Sequence, residues 1–470
     1  MDELIQVPPT LPEHEPPRVR CYHVSLIGWT REGEALGRVI AELPGDTVFP
    51  VHLPLPVDRT PLSAHAGDAA EEAGSALSQA GDVAVPFELR VPAGIPGEQV
   101  IVSVEEPPLR PHRRKRHRRR LPPRISIVQV LEASPWRVAA PCPVFGSCGG
   151  CQLQHVAYPQ QLEIKRQMVT DLLRSEGGFA DPPVLPTLGC EPPWRYRNHM
   201  RFSVNREGQV GLTARGTHRV LPLNDCPIAH AQINRALKVL AESPQPRPQA
   251  LVRCGAHTGQ MMIQPAPAPE LREQLAAAGL EVCDESMEEA LAGQRFRIRP
   301  SSFFQTNTAQ AEHMAVLVMR GLALRPEMTV VDAFCGVGTF ALLLAPHARR
   351  VIGIEESASA VRDALWNARE AANVQIIQGK TEAILPGLAE SMDGLVLDPP
   401  RQGCQRPVLD ALVERRVPRV VYVSCDPATL ARDLKYLCQT QAAYELVEAQ
   451  PLDMFPQTAH IECVAVLQAR

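Results

Sequence analysis

The sequence predicts an α/β protein in three parts: a small N-terminal β-barrel, a mixed α+β central region and a C-terminal doubly wound sheet. Three observations carry this expectation. From residue 301 onward, short apolar runs ending in Gly, acid or Pro alternate with helical stretches such as "ASAVRDALWNAREAAN", the pattern of a mostly parallel sheet with ligands at its C-terminal strand ends. Residues 22–105 carry short β-branched runs broken by Gly-containing turns,. At 470 residues the chain is too long for one ordinary core,. The expected bounds are an N-terminal tail at 1–20, the barrel at 21–110, a basic linker and central region at 111–300, and the doubly wound sheet at 301–470.

Taken in order, "YHVSLIGWTREGEALGRVIAEL" and "VAVPFELRVPAGIPGEQVIVSVEE" supply the strands, and the turn at Gly94 and Gly97 fits a five-stranded barrel of the oligonucleotide-binding (OB) kind. Between them, residues 44–82 are rich in Pro, Ala, Gly, Ser and acid and read as an insertion,. In "HRRKRHRRR", residues 112–120, seven of nine side chains are Lys or Arg. Such a run is either a solvated loop or a phosphate contact, and its place beside a barrel and a cysteine cluster favours phosphate. "AYPQQLEIKRQMVTDLLRSEG" has helical periodicity, with Leu162, Met168, Leu172 and Leu173 on one face,. "WRYRNHMRFSVNREGQVGL" alternates basic and apolar residues, as a half-exposed strand or one facing a polyanion would,.

The net charge of −4 and pI near 6.4 carry no global nucleic-acid signal, so any such signal is local. Positive charge is nearly all arginine, suited to bidentate phosphate contacts,. "MDELIQVPPT" has no basic stretch leading into an apolar core, and no apolar run is long enough for a bilayer,. The thirteen cysteines are therefore expected in a reducing cytoplasm, where clustering points to metal and isolation to core or nucleophile,. A monomer with no membrane contact is expected.

Five segments point to chemistry. In "TVVDAFCGVGTF", Asp332 and the turn at Gly336 and Gly338 bring backbone close to a ligand at a helix N-terminus,. The spacing departs from a dinucleotide fingerprint, and Glu355, ending the next strand, stands where an acid grips a ribose. This register resembles the S-adenosylmethionine site of Rossmann-like methyltransferases. In "LDPPRQGC", Asp398 is a carboxylate at a strand end and the two prolines stiffen the loop,. Arg401 stands where adenine-N6 methyltransferases carry a stacking aromatic, which argues against that chemistry. In "VYVSCDPATLARDL", Cys425 follows a strand and precedes a helix start, and both that N-terminus and a nearby Arg would favour the thiolate,. A lone cysteine is more often simply buried, but its strand-end position favours a nucleophile.

A thiolate is useful to a methyltransferase whose target is uracil. Addition at C6 turns the ring into an enolate with electron density at C5, which then attacks a methyl sulfonium. A base must afterwards remove the C5 proton, and Glu462 in "HIECVAVLQ" is a candidate,. Finally, Cys142, Cys148 and Cys151 in "CPVFGSCGGCQLQH", with Cys226 in "LNDCPIAH", form a four-thiolate set suited to zinc or an iron–sulfur cluster,. No paired-CxxC zinc ribbon is present, and the three-plus-one arrangement favours [4Fe–4S].

Together "CPVFGSCGGCQLQH", "SSFFQTN", "DAFCGVGTF", "LDPPRQGC", "SCDPATLARD" and "HIECVAVL" make the chain resemble the RNA uracil-5-methyltransferases. The resemblance is to the branch with an N-terminal TRAM domain and an iron–sulfur cluster that modifies 23S ribosomal RNA. It runs from about residue 22 to the C-terminus, outside the insertion. It implies an OB-like TRAM barrel, a Rossmann-like class I methyltransferase domain, and ribosomal RNA as partner. It implies that Cys142, Cys148, Cys151 and Cys226 bind [4Fe–4S]. Gln305, Phe334, Thr339, Glu355 and Asp398 would form the S-adenosylmethionine and substrate pocket, with Cys425 as nucleophile and Glu462 as base. One departure is Lys380 in "IIQGKTEA", where the family usually presents Asp or Asn to the adenine; the Gly379 backbone or Glu382 would have to serve. The rivals are tRNA uracil-5 methylation and RNA cytosine-5 methylation. The second commonly needs a Pro-Cys pair, whereas Cys404 follows Gly403. Radical methylthiolation lacks its cluster spacing here, and an inactive RNA-binding relative would predict a broken pocket.

Overall fold

The computed structural model describes residues 19–44, 88–105, 123–243 and 248–470. The basic run 112–120 and all but the first residue of the insertion 44–82 lie outside the described residues. The chain divides into two compact units, Met1–Ala139 and Ala140–Arg470.

In the first unit β1 (Val19–Trp29), β2 (Ala35–Glu42), β3 (Glu88–Val91), β4 (Gln99–Glu105) and β5 (Arg124–Glu132) form one antiparallel sheet, ordered β3-β2-β1-β4-β5. Buried and exposed positions alternate along β2, as a sheet with one covered face requires. Val24, Leu26, Val39, Val91, Val100 and Val102 fill that face. Register shifts in the β1–β2 and β4–β5 pairs bend the sheet into a half-barrel,. Gly37 makes the curl tight: a Cβ there would lie 2.4 Å from the Val24 side chain. The five expected strands are present, with the fifth drawn from beyond the basic run.

The second unit holds two larger sheets. β6 (His199–Val204), β7 (Val210–Thr213), β8 (Val220–Pro222), β9 (Gln249–Cys254), β10 (Gln260–Gln264) and β11 (Glu281–Val282) are ordered β11-β10-β9-β6-β7-β8. Phe202, Val252 and Leu237 of the helix Ala231–Glu242 share their core. A hairpin, β12 (Met287–Leu291) and β13 (Gln294–Ile298), leads into the last sheet.

That sheet comprises β14 (Thr329–Ala333), β15 (Arg350–Glu355), β16 (Val374–Gln378), β17 (Gly394–Leu397), β18 (Arg419–Ser424), β19 (Tyr444–Leu452) and β20 (Glu462–Ala469), ordered β16-β15-β14-β17-β18-β20-β19. The first five are parallel, and β20 runs antiparallel to both its neighbours. Every residue of β14 and β17 is buried, because helices cover both faces of a parallel sheet. Val330 faces one apolar cluster and Val331 the other. The strand order reverses between β14 and β17, which opens a crevice at their C-terminal ends. The expected α/β class with a methyltransferase-type sheet is the one found. Among the described residues no helix is long and apolar enough to cross a membrane.

The helix expected after the cysteines is present as α1 (Tyr158–Ser175), but its buried face is different. Gln161, Ile164, Lys165, Val169 and Leu173 are buried, while Leu162, Met168 and Leu172 are only half-buried. Val169 and Leu173 join the apolar cluster of the last sheet, and polar partners elsewhere in the fold let Gln161 and Lys165 share that face,.

Candidate functional site

A cavity of about 1250 Å³ opens at the C-terminal ends of β14, β15, β17 and β18 and the start of β20. Gln305, Phe334, Thr339, Glu355, Asp398, Cys425 and Glu462 all line it. Asp332, one residue before the end of β14, is fully buried, and its Oδ2 accepts the Ala341 N–H at 2.8 Å, fixing the helix that begins at Thr339. Burial, opposed by that N–H and reinforced by Asp398 and Glu355, pushes its carboxyl up to about 8. Phe334 adopts φ +68° and Gly336 and Gly338 φ +55° and +86°, so this turn holds a non-glycine residue in the left-handed region beside the cavity. Glu355 ties the turn down: its carboxylate accepts the N–H groups of Gly336 at 3.0 Å and Ser357 at 2.7 Å.

The segment 301–305 forms another wall, and the central sheet holds it. Asn198, buried just before β6, donates its side-chain amide to the Gln305 carbonyl at 3.0 Å and its backbone N–H to the Thr306 carbonyl at 2.9 Å. Arg253 donates to the Ser302 carbonyl at 2.9 Å. Phe304 is buried, whereas Phe303 is 67% exposed at the cavity wall. Lys380, Thr381 and Glu382 also line the cavity, and Lys380 lies 3.7 Å from Glu356.

Cys425 sits in a tight turn between β18 and the helix Pro427–Leu434. Asp426 caps that helix, accepting the N–H groups of Ala428 at 3.0 Å and Thr429 at 3.3 Å. The cap occupies the helix's first free donors, so they do not serve the thiol. Burial, then the carboxylates of Glu462 and Asp398, push Cys425 up to about 11; Arg401 opposes them by charge and hydrogen bond. The expectation that local surroundings favour the thiolate is thus corrected: the nearby Arg is present, but desolvation and two carboxylates outweigh it. Burial raises Asp398 to about 7. Glu462 is held well above the usual carboxylate range by burial and by Asp398, against Arg401.

Sequence reasoning used Arg401 only to dismiss another chemistry and passed over Phe303, Phe455 and Tyr436. All four line the cavity, with Arg406 stacked 3.7 Å above the Tyr436 ring. The prolines of "LDPPRQGC" were the available signal for Arg401, since a rigid loop fixes its next residue over the site. Cys404 is buried and burial pushes it up to about 12, an environment for a core thiol.

The four clustered cysteines form a second site. Cys226 is buried, and the others are half-buried. Cys151 is raised to about 12, by burial first, against a Gln154 hydrogen bond, and then by the Cys226, Cys148 and Cys142 thiols. The Cys226 sulfur receives the N–H groups of Ile228 and Ala229, Cys142 those of Val144 and Phe145, and Cys148 that of Gly150. Among the described residues no group of three or more His, Cys, Asp or Glu stands in metal-holding geometry.

The strand order, the crevice and the acids around it define a methyltransferase-type protein. A family model described as tRNA (Uracil-5-)-methyltransferase matches residues 279–470. The chain is 39% identical over 395 residues to an uncharacterized RNA methyltransferase of Gloeobacter violaceus, covering 73% of this chain and 85% of that one. It is 34% identical to another from Nostoc sp., covering 86% and 97%. The tRNA (uracil-54, C5)-methyltransferase of Pyrococcus abyssi, solved with S-adenosyl-L-homocysteine, superposes with a TM-score of 0.62 at 25% identity, over 80% of this chain and 94% of that one. The chain belongs to the RNA uracil-5-methyltransferase family.

Proposed function

We propose that the protein transfers a methyl group from S-adenosylmethionine to C5 of a specific uridine in 23S ribosomal RNA. The observation that carries the chemistry is the meeting of Cys425, Asp398 and Glu462 with the Phe334–Glu355 turn on one cavity. Gln305, Phe334, Thr339, Glu355 and Asp398 are the pocket residues in this proposal, and S-adenosylmethionine supplies an electrophilic methyl group there. The Cys425 thiol gives up its proton and its sulfur adds to C6 of a flipped uridine, leaving C5 nucleophilic. After C5 gains the methyl group, Glu462 takes the C5 proton, the C6–S bond breaks, and the ring regains its double bond as the thiolate leaves. Arg401 lowers both the thiol and the Glu462 carboxyl, which favours the ionised forms each step needs.

Ribosomal RNA is favoured by the four-cysteine set and the OB-like sheet of the resembled branch, with the first unit serving as a TRAM domain. The four thiols and the amides aimed at them suit [4Fe–4S], whose sulfurs commonly accept such hydrogen bonds; the proposal assigns Cys142, Cys148, Cys151 and Cys226 to it as a structural group. A second substrate, tRNA, is favoured by the Pyrococcus abyssi neighbour's own specificity. The test mixes S-adenosylmethionine with 5-fluorouracil-substituted ribosomal RNA or tRNA. Fluorine cannot leave as a cation, so a shifted band on a denaturing gel, absent with Cys425→Ala, establishes the adduct and identifies the RNA. No band on either RNA sinks the uracil mechanism.

A further inference from the structure

The loop 453–461 between β19 and β20 brings Phe455 and Glu462 to the cavity, and it is fastened by side chains some three hundred residues earlier. Lys165 of α1 has no exposed side-chain surface. Its ammonium donates to Asp453 Oδ1 at 2.5 Å, to the Phe455 carbonyl at 3.2 Å and to the His460 carbonyl at 2.8 Å. Its three protons are therefore all used, two of them by carbonyls near opposite ends of the loop. The Tyr158 hydroxyl donates to the other Asp453 oxygen at 2.8 Å. Gln161 donates to the Gln457 side chain at 3.0 Å and accepts the Gln457 N–H at 3.1 Å.

An ion pair so deeply buried is a poor device for stability alone, because desolvation offsets its attraction and an apolar pair of similar volume does as well. An apolar pair cannot hold two backbone carbonyls in place. The His460 carbonyl lies two residues before Glu462, on the short path into β20. We infer that Lys165 is a positioning residue for the Glu462 carboxylate: it fixes the path of loop 453–461 so that the carboxylate meets the C5 proton. This rests on the assignment of Glu462 as the C5 base.

The inference has a chemical signature. Sulfur addition at C6 and methylation at C5 both precede proton removal, so a misplaced Glu462 stops the reaction with the C6–S bond formed, C5 methylated and its proton still on. Covalent protein–RNA adduct then accumulates on ordinary uracil RNA, which the wild type releases as product.

The full-length chain is tested as wild type, Lys165→Met, and Lys165→Met with Asp453→Asn. The double variant leaves no buried charge unpaired and keeps an acceptor for Tyr158, so it decides the matter if the single variant fails to fold. The expected result is turnover reduced about 10- to 100-fold, an unchanged KM for S-adenosylmethionine, and adduct persisting on unmodified RNA. Wild-type turnover in the folded variants, or lost turnover without adduct, overturns the inference. Wild type is run in parallel on 5-fluorouracil RNA. If it traps no adduct through Cys425, the uracil mechanism itself fails and the inference falls with it; if it traps adduct while the variants behave as wild type, only the role of Lys165 fails.

Discussion

Cys151 and Cys425 carry the same side chain, both raised by burial, in opposite company. Cys151 stands among three other thiols with backbone N–H groups aimed at their sulfurs. Cys425 stands between two carboxylates with one guanidinium against it. In the first site burial leads the rise and the other thiols add to it. In the second the repelling groups are the acids Glu462 and Asp398. Burial makes neither thiol functional; the neighbours decide which chemistry each can support.

Removing the proposed nucleophile is the harshest test of that contrast. Cys425→Ala is expected to reduce methyl transfer at least about 10³-fold while leaving iron content unchanged, as read by methyl incorporation and iron analysis. Cys226→Ser is the mirror experiment: iron and acid-labile sulfide should fall to background, and full iron retention would break the ligand assignment. Arg401→Gln removes the one cation that lowers both Cys425 and Glu462. Adduct formation near neutral pH should fall about tenfold, since each pKa unit changes the thiolate fraction by that factor, and its pH dependence should move upward. Asp398→Asn removes a charge that raises Glu462, so the acid limb of the pH–rate profile should move to lower pH; an upward movement would contradict the repulsion. The smallest effect on chemistry is expected from Gly37→Ala, outside both sites. The overlap with Val24 should cost the first unit about 1–3 kcal/mol, visible in a thermal melt, with single-turnover methyl transfer on a short RNA unchanged.

The doubly wound sheet was legible because parallel strands are buried on both faces, so "TVVDAF" and "GLVLDPP" stand out as apolar runs ending in polar residues. Phe334, Glu355, Asp398 and Cys425 were legible for a related reason, since each stands at the end of such a run. The sign of the Cys425 shift was not legible, because it depends on Asp398 and Glu462 converging from other strands. The buried face of α1 escaped for the same reason. Gln161 and Lys165 look like solvent-facing residues until loop 453–461 arrives to satisfy them. The fifth strand of the first unit escaped because the basic run precedes it and invites a boundary.

A thiol held near 11 has one more consequence. Burial and two carboxylates hold it mostly in the thiol form at neutral pH, and it is the thiolate that peroxides and electrophiles attack. The burial and carboxylates that raise Cys425 therefore also shield its sulfur from oxidation, a durability that an exposed cysteine lacks.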